Sequence, residues 1–287
     1  MHLSMAYIKM RLADAGKQTL FGLMQAWPIE KIISWEIFQT AMRSLVFLLA
    51  LTLAARAGNF NDVVRQQVAA MPEGGGYAAT TRAHDALAAA VSIDDGGGRI
   101  RADRAVPSYC SGATYLVFLK TLGELQRRGL LQVDRAQWSA LLPLKLADGE
   151  GVWGRWNANG PGTPRLFFEL GLGNNFSSFE DARPGDFLKI FWTDAVGKSE
   201  HGHSVVFLGL ETKDGVEYVR FWSSNKPGGY GEKAVPRSKI ARAIFSRLEK
   251  PENISGMAAL PRRDPYLAGL LTKNSSFAEA GRMCGVR

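Results

Sequence analysis

Residues 203–224 contain two apolar segments joined by a short turn, and this pair most constrains the fold. The segments HSVVFLGLE and VEYVRFWSS (203–211 and 216–224) are rich in β-branched and aromatic residues, which favour strands. The sequence TKDG between them is typical of a hairpin turn. Alternate residues of a strand share a face, and both faces of the first segment are apolar beyond His203. The pair therefore predicts an antiparallel sheet with 203–211 near its middle.

Helical patterns dominate the chain before this hairpin. Apolar residues recur at helical spacing after Cys110, and Gly129 is a natural stop for that helix. We expect helices at 59–71, 79–93, 110–129 and 134–144, and a further strand at 186–192. Helices followed by an antiparallel meander are typical of an α+β domain with its helices packed on one sheet.

Three other segments are interpreted from their composition. Residues 147–182 are rich in Gly, Asn and Trp, so we expect mostly loop there. Residues 238–250 have the basic, helix-like pattern SKIARAIFSRLEK, and Pro251 would end that helix. The tail from residue 252 onwards is expected to be loop with one short helix.

The charge and composition narrow the classes of partner. The chain has 46% hydrophobic residues and a net charge of +8. This suits a globular protein with an anionic partner, or one whose charge serves only solubility. The basic residues are scattered and form no run interleaved with aromatics, so nucleic acid is not an expected partner. Apart from His201 and His203, no cysteines or histidines have ligand-like spacing, so no metal or other cofactor is expected.

Residues 42–57 have the pattern of a secretory signal peptide. Arg43 is followed by the apolar run LVFLLALTLA and by the cleavage-like triplet ARA. This run is too short for a stable membrane span, which needs about 20 residues; the alternative is a core helix. Residues 1–41 are then a doubtful leader or an over-extended start. We expect a secreted or periplasmic monomer with one domain over 58–287.

Cys110 lies where an apolar helix begins. Pro107 and Ser108 form a typical helix opening, with Ser108 as the expected N-cap. Unpaired N–H groups and the helix dipole in the first turn favour a thiolate there. The alternative is a small core cysteine, which is inert. A nucleophilic Cys110 cannot be in a disulfide, so we expect no bond to Cys284, which lies at a C-terminus expected to be poorly ordered.

Two histidines and an asparagine lie near the ends of the predicted hairpin strands. A thiolate needs a base, usually a histidine that a third polar group orients. His203 begins a strand, whereas His201 lies beyond Gly202 in a loop, so rigidity favours His203 as the base. Asn225 follows the next strand. A cysteine on a helix start, a histidine on a strand start and an amide on the next strand form the layout of a Cys-His-Asn site.

Three motifs within residues 105–225 resemble those of the NlpC/P60 cell-wall peptidases, which are papain-like. YCSGATYLVF is similar to their nucleophile motif, ARPGDFLKIFW to their PGD turn and strand, and GHSVVFLG to their histidine motif. The resemblance implies a papain-like domain with an insertion at about 130–182. It implies that Cys110 is the nucleophile, His203 the general base and acid, and Asn225 the orienting residue.

The same resemblance implies hydrolysis of amide bonds in the stem peptides of peptidoglycan. Tyr109 stands where the family often has Asp, and the interval from cysteine to histidine is long. The chain therefore resembles a divergent member, or a neighbour such as the CHAP amidases. Tyr109 and Ser111 flank the nucleophile and are expected to contact the substrate. The oxyanion hole would use the N–H of Cys110 and a second donor that the sequence does not identify.

The insertion contains the segment WGRWNANGPG, which supplies two candidate binding residues. Trp156 offers a flat face for sugars or apolar peptide parts, and Arg155 offers a clamp for a carboxylate. The alternative is that the tryptophans pack the insertion onto the core, since Trp is highly buried on average.

Two other functions are compatible with these motifs. A non-catalytic wall- or peptide-binding module would need no reactive thiol, so the reactivity of Cys110 at neutral pH distinguishes it from an enzyme. An antibacterial effector amidase would use the same chemistry but would need no signal peptide of its own, so the pattern at 42–57 argues against it.

Overall fold

The largest sheet of the protein is wholly antiparallel, and helices cover one of its faces. The computed structural model describes residues 60–287, which fall within one compact unit. The α-helices are α1 (Asn61–Ala69), α2 (Thr81–Ala89), α3 (Cys110–Arg127), α4 (Arg135–Ala140), α5 (Gly151–Trp156), α6 (Gly162–Leu170), α7 (Pro265–Gly269) and α8 (Phe277–Met283). The strands are β1 (Gly74–Gly75), β2 (Val91–Asp94), β3 (Gly97–Ile100), β4 (Gly173–Phe176), β5 (Phe187–Phe191), β6 (Val196–Gly197), β7 (Gly202–Lys213), β8 (Val216–Asn225), β9 (Gly229–Pro236), β10 (Arg242–Leu248) and β11 (Asn274–Ser275).

The order of strands puts the predicted hairpin at the centre of the sheet. Within residues 60–287, seven strands follow the order β1-β9-β8-β7-β5-β10-β4. The turn between β7 and β8 holds Asp214 at φ 50° and Gly215 at φ 75°, as a two-residue hairpin turn requires. Lys213 pairs with Val216 across this turn. The hairpin and the central position of β7 are therefore confirmed.

Both faces of the hairpin are buried around residues 205–207 and 221–224, whereas the half next to the turn is more exposed. On one face, Val206 and Trp222 belong to the main core, together with most of α3. On the other face, Val205, Phe207 and Phe221 belong to a second apolar cluster. Because α3 packs against β7 and β8, the layers form the α+β arrangement that the sequence predicts.

Most of residues 238–250 form strand β10, where the sequence predicted a basic helix. β10 is hydrogen-bonded to β5 along one edge and to β4 along the other. Ala243 and Phe245 pack into the second cluster, and Ile244 packs on the opposite face. A strand that is buried on both faces does not alternate between polar and apolar residues, so its short apolar run is easily read as helical. Only a 3₁₀ turn at Arg237–Lys239 is helical in this segment.

Residues 147–182 contain α5, α6 and β4, so the expectation of a loop is wrong for most of this segment. Its glycines lie next to the ends of helices and do not prevent them. Gly171 adopts the left-handed conformation (φ 62°) at the end of α6, where a side chain would be strained. Gly149 has a φ of 84° just before α5.

The predicted helix at 79–93 ends early, because its last residues enter a strand. α2 stops at Ala89, and β2 then pairs with β3 in register from Val91↔Ile100 to Asp94↔Gly97. The run DDGGG therefore turns a hairpin instead of merely ending a helix. The helices predicted at 59–71, 110–129 and 134–144 are confirmed as α1, α3 and α4, with shorter bounds.

Two predictions concern the N-terminal part of the chain. The leader at 1–41 and the signal peptide at 42–57 lie outside the described residues. Between residues 60 and 287, no helix is both long enough and apolar enough to cross a membrane.

Candidate active site

Cys110 is the first residue of α3, and the N-cap side chain does not cap this helix. The N-cap is Tyr109, in an extended conformation (φ −140°, ψ 162°), and it makes no side-chain hydrogen bond to the first turn. The predicted N-cap, Ser108, instead donates its hydroxyl to the hydroxyl of Ser224 at 2.8 Å. The N–H groups of the first turn therefore stay available to a negative charge at Cys110.

His203 and Asn225 face each other from neighbouring strands. His203 is the second residue of β7, and Asn225 is the last residue of β8. The His203 Nε2 lies 3.0 Å from the Asn225 Oδ1. The Asn225 Nδ2 donates to the carbonyls of Gly231 at 2.8 Å and Ser223 at 3.3 Å. These two bonds fix which end of the amide faces the ring, so Oδ1 accepts a proton from Nε2. The Nδ1 of His203 is then left for Cys110.

The environment of Cys110 favours the thiolate. Burial raises the pKa of this thiol, but a hydrogen bond and a charge interaction with His203 oppose that effect. The backbone N–H of Ser204 and the ammonium of Lys189 lower the pKa further. The net result is a pKa of about 7, below the ordinary value of 9.0 for a cysteine. A substantial fraction of the thiol is therefore ionised at neutral pH, as a nucleophile requires.

Tyr77 is a member of the site that the sequence did not reveal. Burial, the negative charge of Cys110 and a hydrogen bond to that thiol raise the pKa of Tyr77 to about 12, so its hydroxyl stays a proton donor. The segment that carries it is bound to the start of α3, because Ser108 donates to the Gly76 carbonyl and accepts from Ala78. A hydroxyl donor thus lies beside the sulfur, 33 positions before it in the chain.

A cleft of about 670 Å³ opens over these residues, and we call it the Cys110 cleft. Its lining includes Tyr77, Cys110, Ser111, Asn157, Asn159, Lys189, Trp192, Glu200, His201, His203, Asn225, Lys226 and Lys233. A larger depression of about 740 Å³ lies elsewhere on the surface, but neither a cysteine nor a histidine lines it. The Cys110 cleft is therefore the candidate active site, because it contains the thiol and the imidazole.

Of the predicted substrate-binding residues, only Ser111 lines the cleft. Its hydroxyl donates to the Asn157 side chain at 2.6 Å. Tyr109 is 4% exposed and bonds to the Nδ1 of His84 through its hydroxyl at 2.8 Å. Tyr109 is therefore a buried neighbour of the nucleophile. The prediction that it contacts the substrate directly is wrong.

The predicted substrate contacts of Arg155 and Trp156 are also corrected, because both side chains are buried. Arg155 forms an ion pair with Glu169 at 2.8 Å and donates to the carbonyls of Gly149 and Pro261. Trp156 donates from Nε1 to the carbonyl of Ser111 at 3.1 Å. The alternative reading holds, since these residues pack the insertion onto the core and support the first turn of α3.

Cys284 lacks the features that activate Cys110. It is a free thiol, as Cys110 is, and it is buried at the end of α8. Burial raises its pKa to about 12, so it is inert at neutral pH. The C-terminal segment is built into the fold, since Asn175 donates to the Cys284 carbonyl at 2.7 Å. The expectation of poor order is wrong, because this tail holds a 3₁₀ segment at Pro251–Ala259, α7 and α8.

The described part of the chain offers no cluster of three or more His, Cys, Asp or Glu side chains able to hold a metal ion. The reactive groups of the cleft are a thiol, an imidazole, an amide and a phenol. No protein family, curated protein or solved structure matches this chain.

Proposed function

We propose that this protein is a cysteine hydrolase that cleaves amide bonds through Cys110, His203 and Asn225. The observation that carries the proposal is the double attachment of His203. Its Nε2 lies 3.0 Å from the Asn225 Oδ1, and the same ring forms a hydrogen bond and a charge interaction with the thiol of Cys110. This is the geometry of an activated nucleophile, in which a base is itself oriented by a third group.

The reaction proceeds through a thioester. The Cys110 thiolate attacks the carbonyl carbon, and protonated His203 gives its Nδ1 proton to the amine as the carbon–nitrogen bond breaks. Water then attacks the thioester while His203 accepts a proton from it, and the thiolate leaves. Asn225 keeps Nε2 protonated throughout, so that Nδ1 remains the atom that exchanges protons.

Two donors stabilise the negative charge that develops on the carbonyl oxygen. One is the N–H of Cys110, which is among the unpaired groups of the first turn of α3. The other is the hydroxyl of Tyr77, which already bonds to the sulfur in the resting enzyme. Tyr77 thus supplies the second donor that the sequence left unidentified.

The stem peptides of peptidoglycan are the proposed substrates. The motifs around Cys110 and His203 resemble those of wall peptidases, and they support a papain-like fold and a secreted or periplasmic location. The Cys110 cleft supports an anionic substrate, since it is lined by Lys226 and Lys233. Neither lysine has a carboxylate partner among residues 60–287. Stem peptides carry carboxylates that these lysines suit.

The alternative of a non-catalytic binding module is less well supported. A binding surface has no need of a thiol with a pKa near 7, yet three separate groups stabilise the thiolate against the effect of burial. Such strongly perturbed groups in a cleft are typical of catalytic sites.

Peptidoglycan digestion tests the proposal directly. The full chain is incubated with purified peptidoglycan, and the released fragments are identified by mass spectrometry. We expect new amine and carboxylate ends from the wild type and none from Cys110→Ala. The matched control is Cys284→Ala, which removes the other thiol and should retain activity. Equal release by wild type and Cys110→Ala would show that the thiol is not the nucleophile.

A further inference from the structure

An ion pair is buried in the wall of the Cys110 cleft. The Lys189 Nζ lies 2.5 Å from the Glu200 Oε1, and the two side chains are only 10% and 2% exposed. Both residues line the cleft that contains Cys110. A buried ion pair costs more desolvation energy than a surface pair does. Its presence is therefore weak evidence for a role in stability.

The backbone places Lys189 on the strand next to β7, which carries His203. Lys189 lies on β5, where it pairs with Ser204, and the neighbouring Ile190 pairs with His203. Directly opposed residues of antiparallel strands have Cα atoms about 5 Å apart. Ser204 is the residue whose N–H approaches the Cys110 sulfur. Lys189 therefore lies on the strand next to Ser204, and its ammonium lines the same cleft as the thiol.

Glu200 holds the ammonium in place from the loop that precedes β7. Its Oε2 accepts from the N–H of Gly197 at 3.3 Å, and its own N–H donates to the Gly197 carbonyl at 2.8 Å. Gly202 leaves the room that the pair needs, because a Cβ at this position would collide with the Glu200 carboxylate and the Lys189 ammonium. The loop thus positions the Glu200 carboxylate as the ion-paired counter-charge of Lys189.

The same cleft also contains other charged and titratable groups, namely Tyr77, Cys110, His201, His203, Lys226 and Lys233. The groups that act on Cys110 are His203, Tyr77, Tyr109 and Lys189. Besides Glu200, Lys189 acts on Asp148, which burial keeps above its usual pKa while Arg263 and Lys189 lower it. Among these groups, His203 and Lys189 are the two whose positive charge favours a thiolate at Cys110.

We propose that Lys189 is a positioning residue whose ammonium, held by Glu200, keeps Cys110 in its anionic form between catalytic turns. The inference rests on the proposed function only in that Cys110 is the nucleophile. When His203 gives its proton to the leaving amine, the imidazolium charge is lost, but the charge of Lys189 persists. Lys189 then favours the departure of Cys110 as a thiolate when the thioester breaks.

The test measures the thiol itself and needs no substrate. All variants are made in the full chain with Cys284→Ala, so that Cys110 is the single cysteine. The rate of alkylation by iodoacetamide is recorded from pH 5 to pH 10, and circular dichroism checks that each variant is folded. We expect Lys189→Met to raise the apparent pKa of Cys110 by about one unit. Lys189→Arg keeps the charge and should restore the wild-type profile.

In Glu200→Gln, the direction in which the pKa of Cys110 shifts decides between the two explanations. It removes a negative charge and leaves the ammonium without its counter-charge, so the pKa of Cys110 should fall below that of the wild type. A merely structural pair predicts the opposite, because loosening the loop before His203 would raise the pKa in every variant. An upward shift in all three variants, or no shift in Lys189→Met, overturns the inference.

Peptidoglycan hydrolysis by the same proteins separates this inference from the proposed function. Pronounced pKa shifts of the expected signs without any hydrolysis by the wild type would leave the inference standing and remove the proposed function. Hydrolysis that depends on Cys110, together with an alkylation profile that ignores Lys189, would do the reverse.

Discussion

The amide of Asn225 determines which nitrogen of His203 carries the proton. Asn225 can only accept from the ring, because its Nδ2 is already bonded to the carbonyls of Gly231 and Ser223. The 3.0 Å bond to Nε2 therefore holds the imidazole in one tautomer and in one plane. Both backbones are fixed by their outer neighbours, since His203 pairs with Ile190 of β5 and Asn225 pairs with Gly229 of β9.

The first prediction concerns Asn225→Ala. Without the acceptor, the ring of His203 can rotate and change tautomer, so proton transfer to the leaving amine becomes inefficient. We expect kcat to fall by about 10²-fold or more, with little change in KM. Steady-state kinetics on a peptide released from peptidoglycan measure this.

Asn253→Ala is the matched control for this variant. Asn253 also donates through its side-chain amide, to the Gly171 carbonyl at 2.8 Å, but on an exposed surface away from the cleft. This control should keep the wild-type kcat. A wild-type kcat in Asn225→Ala as well would contradict the role of the orienting amide.

The second prediction distinguishes His203 from His201 by the pH dependence of alkylation. The pKa of Cys110 is depressed to about 7, so the wild-type rate should rise as the pH increases through 7. In His203→Ala, burial remains while its main opposing partner is lost, so the rise should move to a pH above 9. His201 lies outside β7 and is exposed, and His201→Ala should keep the wild-type midpoint. A shifted midpoint in His201→Ala alone would reverse the assignment.

The parts of the fold that the sequence predicted are those with strong local patterns. The hairpin of β7 and β8 is apolar on both faces and has a turn signal, so it can be read without any knowledge of its neighbours. β10 has only the short run AIF between basic residues, and its state is decided by hydrogen bonds to β5 and β4. Such long-range pairing leaves no local trace, which is why the prediction of a helix failed.

The site shows the same division. Cys110, His203 and Asn225 each mark the end of a regular element, so their positions could be inferred from the elements themselves. Tyr77 lies in an irregular segment, and it reaches the sulfur only because this segment bridges to Ser108. A signal did exist for Lys189, since FLKIF puts one charge inside an otherwise apolar strand. A charge at such a position is rarely buried unless it is paired.

The third prediction concerns Arg155, which has a structural role instead of the expected contact with substrate. Its guanidinium is fully buried, and Arg155→Met would leave Glu169 without its closest cation. We expect the free energy of unfolding to fall by about 3–5 kcal/mol, which lowers Tm by about 6–20 °C. Arg65→Met removes the exposed pair with Asp62 and should barely change Tm. Thermal unfolding followed by circular dichroism checks both; equal stability of the two variants would contradict the buried-pair argument.

The fourth prediction concerns Lys226 and Lys233 in the Cys110 cleft. Replacing both by Gln removes two positive charges that have no carboxylate partner within residues 60–287, so an anionic peptide should bind less well. We expect KM to rise about tenfold at low salt, with a smaller rise at 0.5 M NaCl because salt screens exposed charges. Lys239→Gln, a change of an exposed lysine that does not line the cleft, should leave KM unchanged. A KM that is equally insensitive to all three lysines would argue for a neutral substrate.

The fifth prediction separates Tyr77 from Tyr109, the two tyrosines nearest to the nucleophile. Tyr77→Phe keeps the ring and removes only the hydroxyl that bonds to the sulfur. If this hydroxyl also donates to the oxyanion, kcat should fall by about 10²–10³-fold. The alkylation midpoint of Cys110 should rise only slightly, because His203, Ser204 and Lys189 still favour the thiolate. Tyr109→Phe also loses a hydroxyl, but that group is bonded to His84 at 2.8 Å, so kcat should stay near that of the wild type. A large loss of kcat with only a slight shift of the alkylation midpoint is specific to a donor that acts in the transition state. Equal losses of kcat in the two variants would instead mean that both hydroxyls merely support the fold around Cys110.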